Sequence, residues 1–134
     1  MVTDIHTTKV YFSSWLPKSC PKLWEALHSV LLEKNVKFAF LSDTEDIWCR
    51  DYMPIQITTD KMVTYKYSPD YLVNCNNQKY ITDSYLMAQN LEKEYPGIEF
   101  RHTGLILDGG NVVKCGDTIV MTEKVFEENS NRPR

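Results

Sequence analysis

A polar cluster between two apolar runs is the feature that most limits what this chain can fold into. Residues 46–57 have the sequence DIWCRDYMPIQI, which places an Arg beside an Asp where the core of a sheet is expected. Burying an ionised carboxylate costs several kcal/mol unless a partner or a ligand compensates the charge. Such a cluster is more typical of a cleft, so Asp51 is a candidate ligand-binding residue. The alternative is that Arg50 and Asp51 make ordinary surface contacts while Trp48 is a core residue.

A second polar patch closes another apolar run. Residues 105–113 have the sequence LILDGGNVV, in which one acid, Asp108, precedes two glycines. Paired glycines allow backbone torsions and close approaches that a Cβ would block. We therefore take Asp108 as a second candidate site residue and Gly109 and Gly110 as structural glycines.

Three motifs in this order resemble the guanidino-group-modifying superfamily, most closely its branch of agmatine deiminases and bacterial peptidylarginine deiminases. The first two are W-x-R-D-x-x-P, beginning at Trp48, and L-D-G-G-N-V, beginning at Leu107. The third is GDTIVMTEK at 116–124 followed by NSNRP at 129–133, and it is similar to the G-x-G-T-x-x-T-E and N-R-N-P segments of those enzymes. Together the motifs extend over residues 46–133.

The resemblance implies an α/β fold of the pentein type, a five-bladed α/β propeller of ββαβ units around a substrate tunnel. The chain would be one N-terminal portion, residues 1–134, with repeat-like units at about 9–67 and 68–134, or two blades of five. A helix followed by a strand near residue 20 and again near residue 82 independently indicates a repeat. Such units bury their faces only by stacking, so we expect open sheet edges and either self-association or a missing C-terminal portion.

The resemblance also implies roles for individual residues. The acid of the W-x-R-D motif, here Asp51, binds the substrate guanidinium. The acid of the glycine motif, here Asp108, supports a catalytic His. Trp48 and Asn111 join Asp51 as substrate-binding residues, with Trp48 as a pocket wall and Asn111 bracing the glycines. Arg50 is a structural partner. Carboxylates suit a guanidinium because its planar donors bind them two at a time.

The family reaction hydrolyses a guanidino group to a ureido group and ammonia, and it implies no cofactor and no metal. It needs a thiolate that attacks the guanidinium carbon and a His that moves protons. Family members carry these residues in G-G-N-x-x-C and H-x-D or H-x-E segments, and neither segment occurs here. We therefore expect the chain alone to be inactive. Met53 stands where agmatine deiminases usually have Gly, and Asp108 stands where they often have Glu. These departures leave both agmatine and (peptidyl)arginine open as substrates.

Two cysteines are weaker candidates for a nucleophile. Cys115 follows the double glycine with one residue more than the family spacing, which would turn its side chain to the other face of a strand. Cys49 lies next to Arg50, whose charge would lower the pKa of the thiol. A structural or solvated place is predicted for the three histidines, His6, His28 and His102.

Composition and charge narrow the class of protein. The 134 residues are 43% hydrophobic and 25% charged with a net charge of -3, so neither nucleic acid nor an anionic membrane is the expected partner. A cationic guanidino compound or a peptidyl-arginine fits better. No apolar run approaches a membrane span and no leader is visible, so a cytoplasmic location is expected. The four cysteines lack metal-site spacing, so we predict free thiols.

Hydrophobic periodicity predicts alternating strands and helices. The predicted strands are 9–16, 36–41, 55–58, 62–67 and 98–102, the predicted helices are 20–33, 83–95 and 123–128, and a hairpin joins 112–113 to 119–121. Ser19, Thr82 and Thr122 are the predicted N-caps, and residues 1–8 are expected to fray.

Two rival hypotheses remain at this stage. One is a non-catalytic module that keeps the carboxylate pocket to bind a cationic ligand or a protein partner. The other is a stray reading-frame fragment that acquires structure only by self-association.

Overall fold

The computed structural model describes residues 1–131, which form short strands and helices in alternation. The strands are β1 (Val10–Ser13), β2 (Phe38–Leu41), β3 (Ile55–Thr58), β4 (Lys61–Lys66), β5 (Glu99–Ile106), β6 (Val113–Cys115) and β7 (Thr118–Val120). The helices are α1 (Leu16–Ser19), α2 (Pro21–Glu33), α3 (Cys49–Tyr52), α4 (Asp70–Asn74), α5 (Ser84–Glu94) and α6 (Lys124–Glu128). Residues 132–133 of the third motif lie outside the described part.

Parallel strand pairs joined by a helix define the architecture. Strands β1 and β2 are parallel with α2 between them, and β4 and β5 are parallel with α5 between them. Strand β3 pairs with β4 as an antiparallel hairpin, and β6 and β7 form a second hairpin. The α/β class is therefore confirmed. The sheets are separate and open, so the number of propeller blades stays a prediction. The predicted unit boundary at 67/68 lies between β4 and α4.

Two clusters of buried residues hold these elements together. The larger contains Leu41, Tyr52, Tyr67, Met87, Ala88, Leu91 and Phe100, and it joins β2, α3, α5 and β5. The smaller contains Tyr65, Leu107 and Val112, with Met1, Ile55 and Val125 packed against it. The smaller cluster lies beneath the two polar motifs, so it fixes their relative position.

The N-cap of α5 is not the predicted residue, Thr82. The Asp83 carboxylate accepts hydrogen bonds from the backbone N–H groups of Tyr85 and Leu86, at 3.0 Å each, so Asp83 is the N-cap. Thr82 is buried, and its Oγ1 accepts from the N–H of Glu45 at 2.9 Å. Thr82 therefore ties the loop before α3 to the start of α5.

The other two predicted caps are also wrong. Ser19 ends α1, and α2 begins after Cys20 without a side-chain cap. Thr122 precedes α6 by two positions, and Glu123 takes the cap position without a side-chain bond. The short helix α1, which periodicity does not reveal, displaces the start of α2.

The N-terminal segment is ordered against the sheet rather than frayed. The N–H of Val2 donates to the carbonyl of Gln56 at 2.8 Å, and Met1 packs against the smaller buried cluster. The prediction for residues 1–8 is therefore wrong at its start, because the apolar Met1 gains a place in the core.

Strand β1 has an open edge in the described part of the chain. Val10 and Ser14 donate to the carbonyls of Lys37 and Leu41, so the backbone of Tyr11 between them faces away from β2. In contrast, β4 has a neighbour on both sides. Large apolar side chains are also exposed, among them Trp15, Leu23, Leu32, Ile119, Val120 and Phe126. Within residues 1–131, no helix has the length and apolar character that crossing a bilayer requires.

We predict that Asp83→Ala lowers the free energy of unfolding by about 1 kcal/mol, because two N–H groups at the start of α5 lose their acceptor. Urea unfolding followed by circular dichroism measures the change. Ser19→Ala is the matched control, since Ser19 is exposed and caps nothing, and it should change stability by less than about 0.5 kcal/mol. An equal loss in both variants would contradict the assignment of the cap.

Candidate functional site

Helix α3 presents Asp51 at the surface of the larger buried cluster. The turn before it is held by Asp46, whose Oδ1 accepts from the N–H of Trp48 at 2.8 Å. The fully buried Tyr52 anchors the other side of the helix, and its hydroxyl donates to the carbonyl of Asp46 at 3.0 Å. Asp51 precedes this anchor directly, so its carboxylate has a defined place.

The glycine turn, Gly109–Asn111, packs directly on α3. The N–H of Gly110 donates to Asp51 Oδ1 at 3.1 Å. A Cβ on Gly109 would overlap the carbonyl oxygen of Arg50 and the hydroxyl of Tyr65, and one on Gly110 would overlap Asp51 Oδ1. Neither glycine has a positive φ, so space rather than backbone torsion requires glycine here.

Tyr65 supports this contact from below. It lies on β4, is buried, and its hydroxyl donates to the carbonyls of Asp51 at 3.0 Å and Met53 at 2.8 Å. Burial raises the pKa of Tyr65, so the hydroxyl remains a donor at all physiological pH values. The end of α3 is thus fixed to the central strand of its sheet.

Asp51 and Asp108 lie close enough to repel each other. Burial raises the pKa of Asp51, and the charge of Asp108 raises it further. The N–H of Gly110 and the charges of Arg50 and Lys124 act in the opposite direction. The structure therefore brings the two predicted acids into one electrostatic environment, while their roles stay predictions.

A third acid, Asp46, belongs to the same environment and was not predicted. Burial raises its pKa, the hydrogen bond from the Trp48 N–H lowers it by a smaller amount, and the charge of Asp51 also raises it. The available signal was its position two residues before Trp48, which is typical of an Asp that accepts a local backbone hydrogen bond.

Lys124 is the second residue that sequence reasoning missed. Its Nζ lies 3.1 Å from Asp70 Oδ1, 3.4 Å from Asp108 Oδ2 and 3.2 Å from Glu128 Oε1. Only the pair with Glu128, four residues on in α6, has a spacing that a sequence can indicate. The other two contacts depend on tertiary structure.

The remaining predicted residues have different surroundings. The Trp48 side chain is 66% exposed, so the core alternative is wrong, and its place as a pocket wall is untested. Asn111 Oδ1 accepts from the N–H of Thr122 at 2.9 Å, which braces the glycine turn against the end of β7. Arg50 donates from Nη2 to the carbonyl of Val112 at 3.2 Å, a structural contact.

A cavity of about 350 Å³ adjoins α3 but not the acids. It lies beside the open edge of β1, and its lining includes Val2, Tyr11, Cys49, Ile55 and Met62. Asp51, Asp108, Trp48 and Asn111 are absent from that lining. The side chain of Asp51 and the cavity therefore lie on different sides of α3.

None of the cysteines or histidines in the described part completes a catalytic pair. The predicted lowering of the Cys49 pKa is wrong, because burial raises it. All four cysteines are free, as predicted, and Cys115 is exposed. His6 bonds to Thr3, His28 stacks on Trp24 and His102 packs beside Tyr85. Within residues 1–131, no group of His, Cys, Asp and Glu is arranged to hold a metal ion.

A known protein family and a solved structure match this chain. The family model described as Porphyromonas-type peptidyl-arginine deiminase matches residues 18–134. The structure is similar to that of a C. jejuni agmatine deiminase, with a TM-score of 0.66 and 17% identity, over 99% of this chain and 49% of that one. The chain therefore spans about half the length of the matched structure, and at this identity the likeness shows the fold. No curated protein matches the sequence.

We predict that Gly109→Ala lowers the free energy of unfolding by about 1–3 kcal/mol or more, because its methyl group would meet backbone that must shift. Chemical denaturation measures the loss, and the amide chemical shift of Gly110 reports the displaced turn. Gly97→Ala is the matched control, since a Cβ there meets nothing within 4 Å. A stability of Gly109→Ala close to that of the control would contradict the close approach.

We also predict a pH-dependent gain in stability for Asp51→Asn. The pKa of Asp51 is higher in the folded chain than its ordinary value of 3.8, so ionisation costs the folded state stability as pH rises above 3.8. Asn keeps an acceptor for Gly110 and does not ionise. The variant should therefore be at least as stable as the wild type at pH 7, with the advantage shrinking towards pH 4.

Urea unfolding at pH 4 and pH 7 measures this difference. The exposed Asp117→Asn is the control for loss of one negative charge. A difference between Asp51→Asn and the wild type that does not change with pH would refute the electrostatic explanation.

Proposed function

Since this chain belongs to the Porphyromonas-type peptidyl-arginine deiminase family, we propose that it supplies the substrate-binding carboxylates of a guanidine deiminase. The reaction adds water to a guanidino group and yields a ureido group and ammonia. The proposed substrate is agmatine or the guanidino group of arginine, free or within a peptide. Because the match covers 49% of the compared structure, the complete reaction is proposed for an assembly with further residues, and the chain alone should be inactive.

The observation that carries the proposal is the hydrogen bond between the two family motifs. Gly110 N–H fixes Asp51 Oδ1 at 3.1 Å, so one oxygen orients the carboxylate. The other oxygen, Oδ2, is the one proposed to take the ligand. A carboxylate oriented in this way suits the planar donors of a guanidinium.

The electrostatics of the site favour a cationic ligand. Burial and the charge of Asp108 raise the pKa of Asp51, and a cation beside its carboxylate would act in the opposite direction and stabilise the ionised form. A bound guanidinium would offset the repulsion between Asp51 and Asp108. The chain's own contribution is thus to bind and orient the substrate, while Asp108 is proposed to support the proton-transferring His of the assembly.

The proposal includes the fold of the assembly. Residues 9–67 and 68–134 would belong to two repeat-like units of a five-bladed propeller. The helix-joined parallel pairs β1–β2 and β4–β5 support a repeat. The open edge of β1 and the exposed apolar side chains suit either self-association or a further portion of polypeptide.

A non-catalytic module that binds a cation or a protein partner is the second candidate. The observation in its favour concerns Cys49, the only thiol on α3. Its pKa is raised, so its sulfur is a poor nucleophile. The two candidates share the Asp51 site and differ only in whether an assembly performs the hydrolysis.

We predict that the chain binds agmatine or an arginine-containing peptide and that Asp51→Asn weakens this binding at least about tenfold, because a charge-assisted contact is lost. Isothermal titration calorimetry at pH 7 measures the affinity, with Asp117→Asn as the matched control. Equal binding by wild type and Asp51→Asn would exclude the proposed site.

A colorimetric assay for ureido products, run on the same samples, is expected to give no signal above background. Turnover by the isolated chain would contradict the proposal that hydrolysis requires further residues of an assembly. Binding without turnover, even after the remaining family segments are added, would favour the non-catalytic module.

A further inference from the structure

Lys124 forms a direct ion pair with Asp108, one of the acids of the site. It begins α6, and its Nζ reaches three carboxylates, Asp70 at 3.1 Å, Asp108 at 3.4 Å and Glu128 at 3.2 Å. These acids come from α4, from the residue before the glycine turn and from α6. One ammonium ion therefore joins three separate segments of the chain.

Two of these carboxylates depend on the ammonium because they have little access to water. The side chains of Asp108 and Glu128 are only 16% and 11% exposed, whereas that of Asp70 is 60% exposed. Half-buried carboxylates are costly without a counter-charge. Lys124 itself is 29% exposed and also lies over the ring of Tyr71, at 5.3 Å from its centre, which limits where the ammonium can move.

The geometry divides the two oxygens of Asp108 between different tasks. Oδ2 faces Lys124, while Oδ1 is buried and accepts no hydrogen bond within residues 1–131. A carboxylate anchored through one oxygen keeps the other in a fixed direction. Loss of Lys124 would remove both the ion-pair partner of Asp108 Oδ2 and the positive charge that offsets Asp108.

We propose that Lys124 is a positioning residue of the site: it fixes the direction of Asp108 and offsets its negative charge beside Asp51, the proposed binding group for the cationic substrate. The effect of Lys124 on substrate binding rests on the proposed function. Its effect on the direction and charge of Asp108 rests only on the contacts of Lys124. Asp70 and Glu128 share the ammonium with Asp108, and Arg50 supplies the other positive charge near Asp51.

The electrostatics of the cluster agree with this role. Burial lowers the pKa of Lys124, but the hydrogen bond to Asp70 and the charges of Asp108 and Glu128 more than offset this and raise it, so the ammonium persists at any physiological pH. Its charge in turn lowers the pKa of Asp51, against the larger effects of burial and of Asp108.

The test compares Lys124→Met, Lys124→Arg and Asp70→Asn by carboxyl-carbon NMR titration of the full chain. Loss of the positive charge in Lys124→Met should raise the pKa of Asp51, and Lys124→Arg should restore it. Asp70→Asn removes a negative charge that competes for the ammonium, so it should shift the pKa of Asp51 in the opposite direction. Lys61→Met, which loses one exposed pair with Glu99, should not move it.

Binding of agmatine at two pH values gives a second readout that a purely structural role would not produce. Lys124→Met should weaken binding roughly threefold to tenfold at the lower pH, because a raised pKa of Asp51 leaves fewer of its carboxylates ionised there. The loss should shrink at the higher pH, since rising pH ionises Asp51 further in both proteins. A uniform loss at both pH values would mean that the variant only disturbs the fold, and the inference would be overturned.

The two readouts separate this inference from the proposed function. If the wild type binds no guanidinium but Lys124→Met still moves the Asp51 titration, the proposed function fails and the structural part of the inference stands. If binding is normal and the Asp51 titration is unchanged in every variant, only the role of Lys124 is wrong. Asp70 is exposed, so Asp70→Asn keeps the test decisive should Lys124→Met not fold.

Discussion

The hydrogen bond from Gly110 to Asp51 joins segments 59 residues apart, and the geometry of the site depends on it. It exists because the glycine turn approaches α3 more closely than any side chain at Gly109 or Gly110 would allow. Tyr65 fills the space beneath and bonds to the same helix. A backbone contact of this kind, supported by a buried aromatic residue, fixes a carboxylate better than a surface ion pair does.

The stability of this region is limited by the acids that define it. Asp46, Asp51 and Asp108 are partly buried near one another, and burial raises the pKa of both Asp46 and Asp51. Such a cost is typical of a site where binding rather than folding has determined the residues. Lys124 and Arg50 reduce the cost without removing it, since the pKa of Asp51 remains raised.

Sequence patterns predicted the elements better than the contacts between them. The α/β order and the hairpin of β6 and β7 follow from periodicity, because that signal is local. Periodicity says nothing about the proximity of the two acidic motifs, which only the family resemblance implied. The cap of α5 was misplaced by one residue, since Thr82 and Asp83 are both good caps and only the tertiary bond from Glu45 to Thr82 decides between them. Lys124 was missed because its contacts with Asp70 and Asp108 join distant segments.

The packed N-terminus has a practical consequence for anyone who expresses this protein. Met1 contacts the cluster that contains Tyr65, and Val2 bonds to Gln56. Substitution of Met1 or an affinity tag fused directly before it would therefore alter the support of α3. Measurements on tagged and untagged preparations would then describe two slightly different sites.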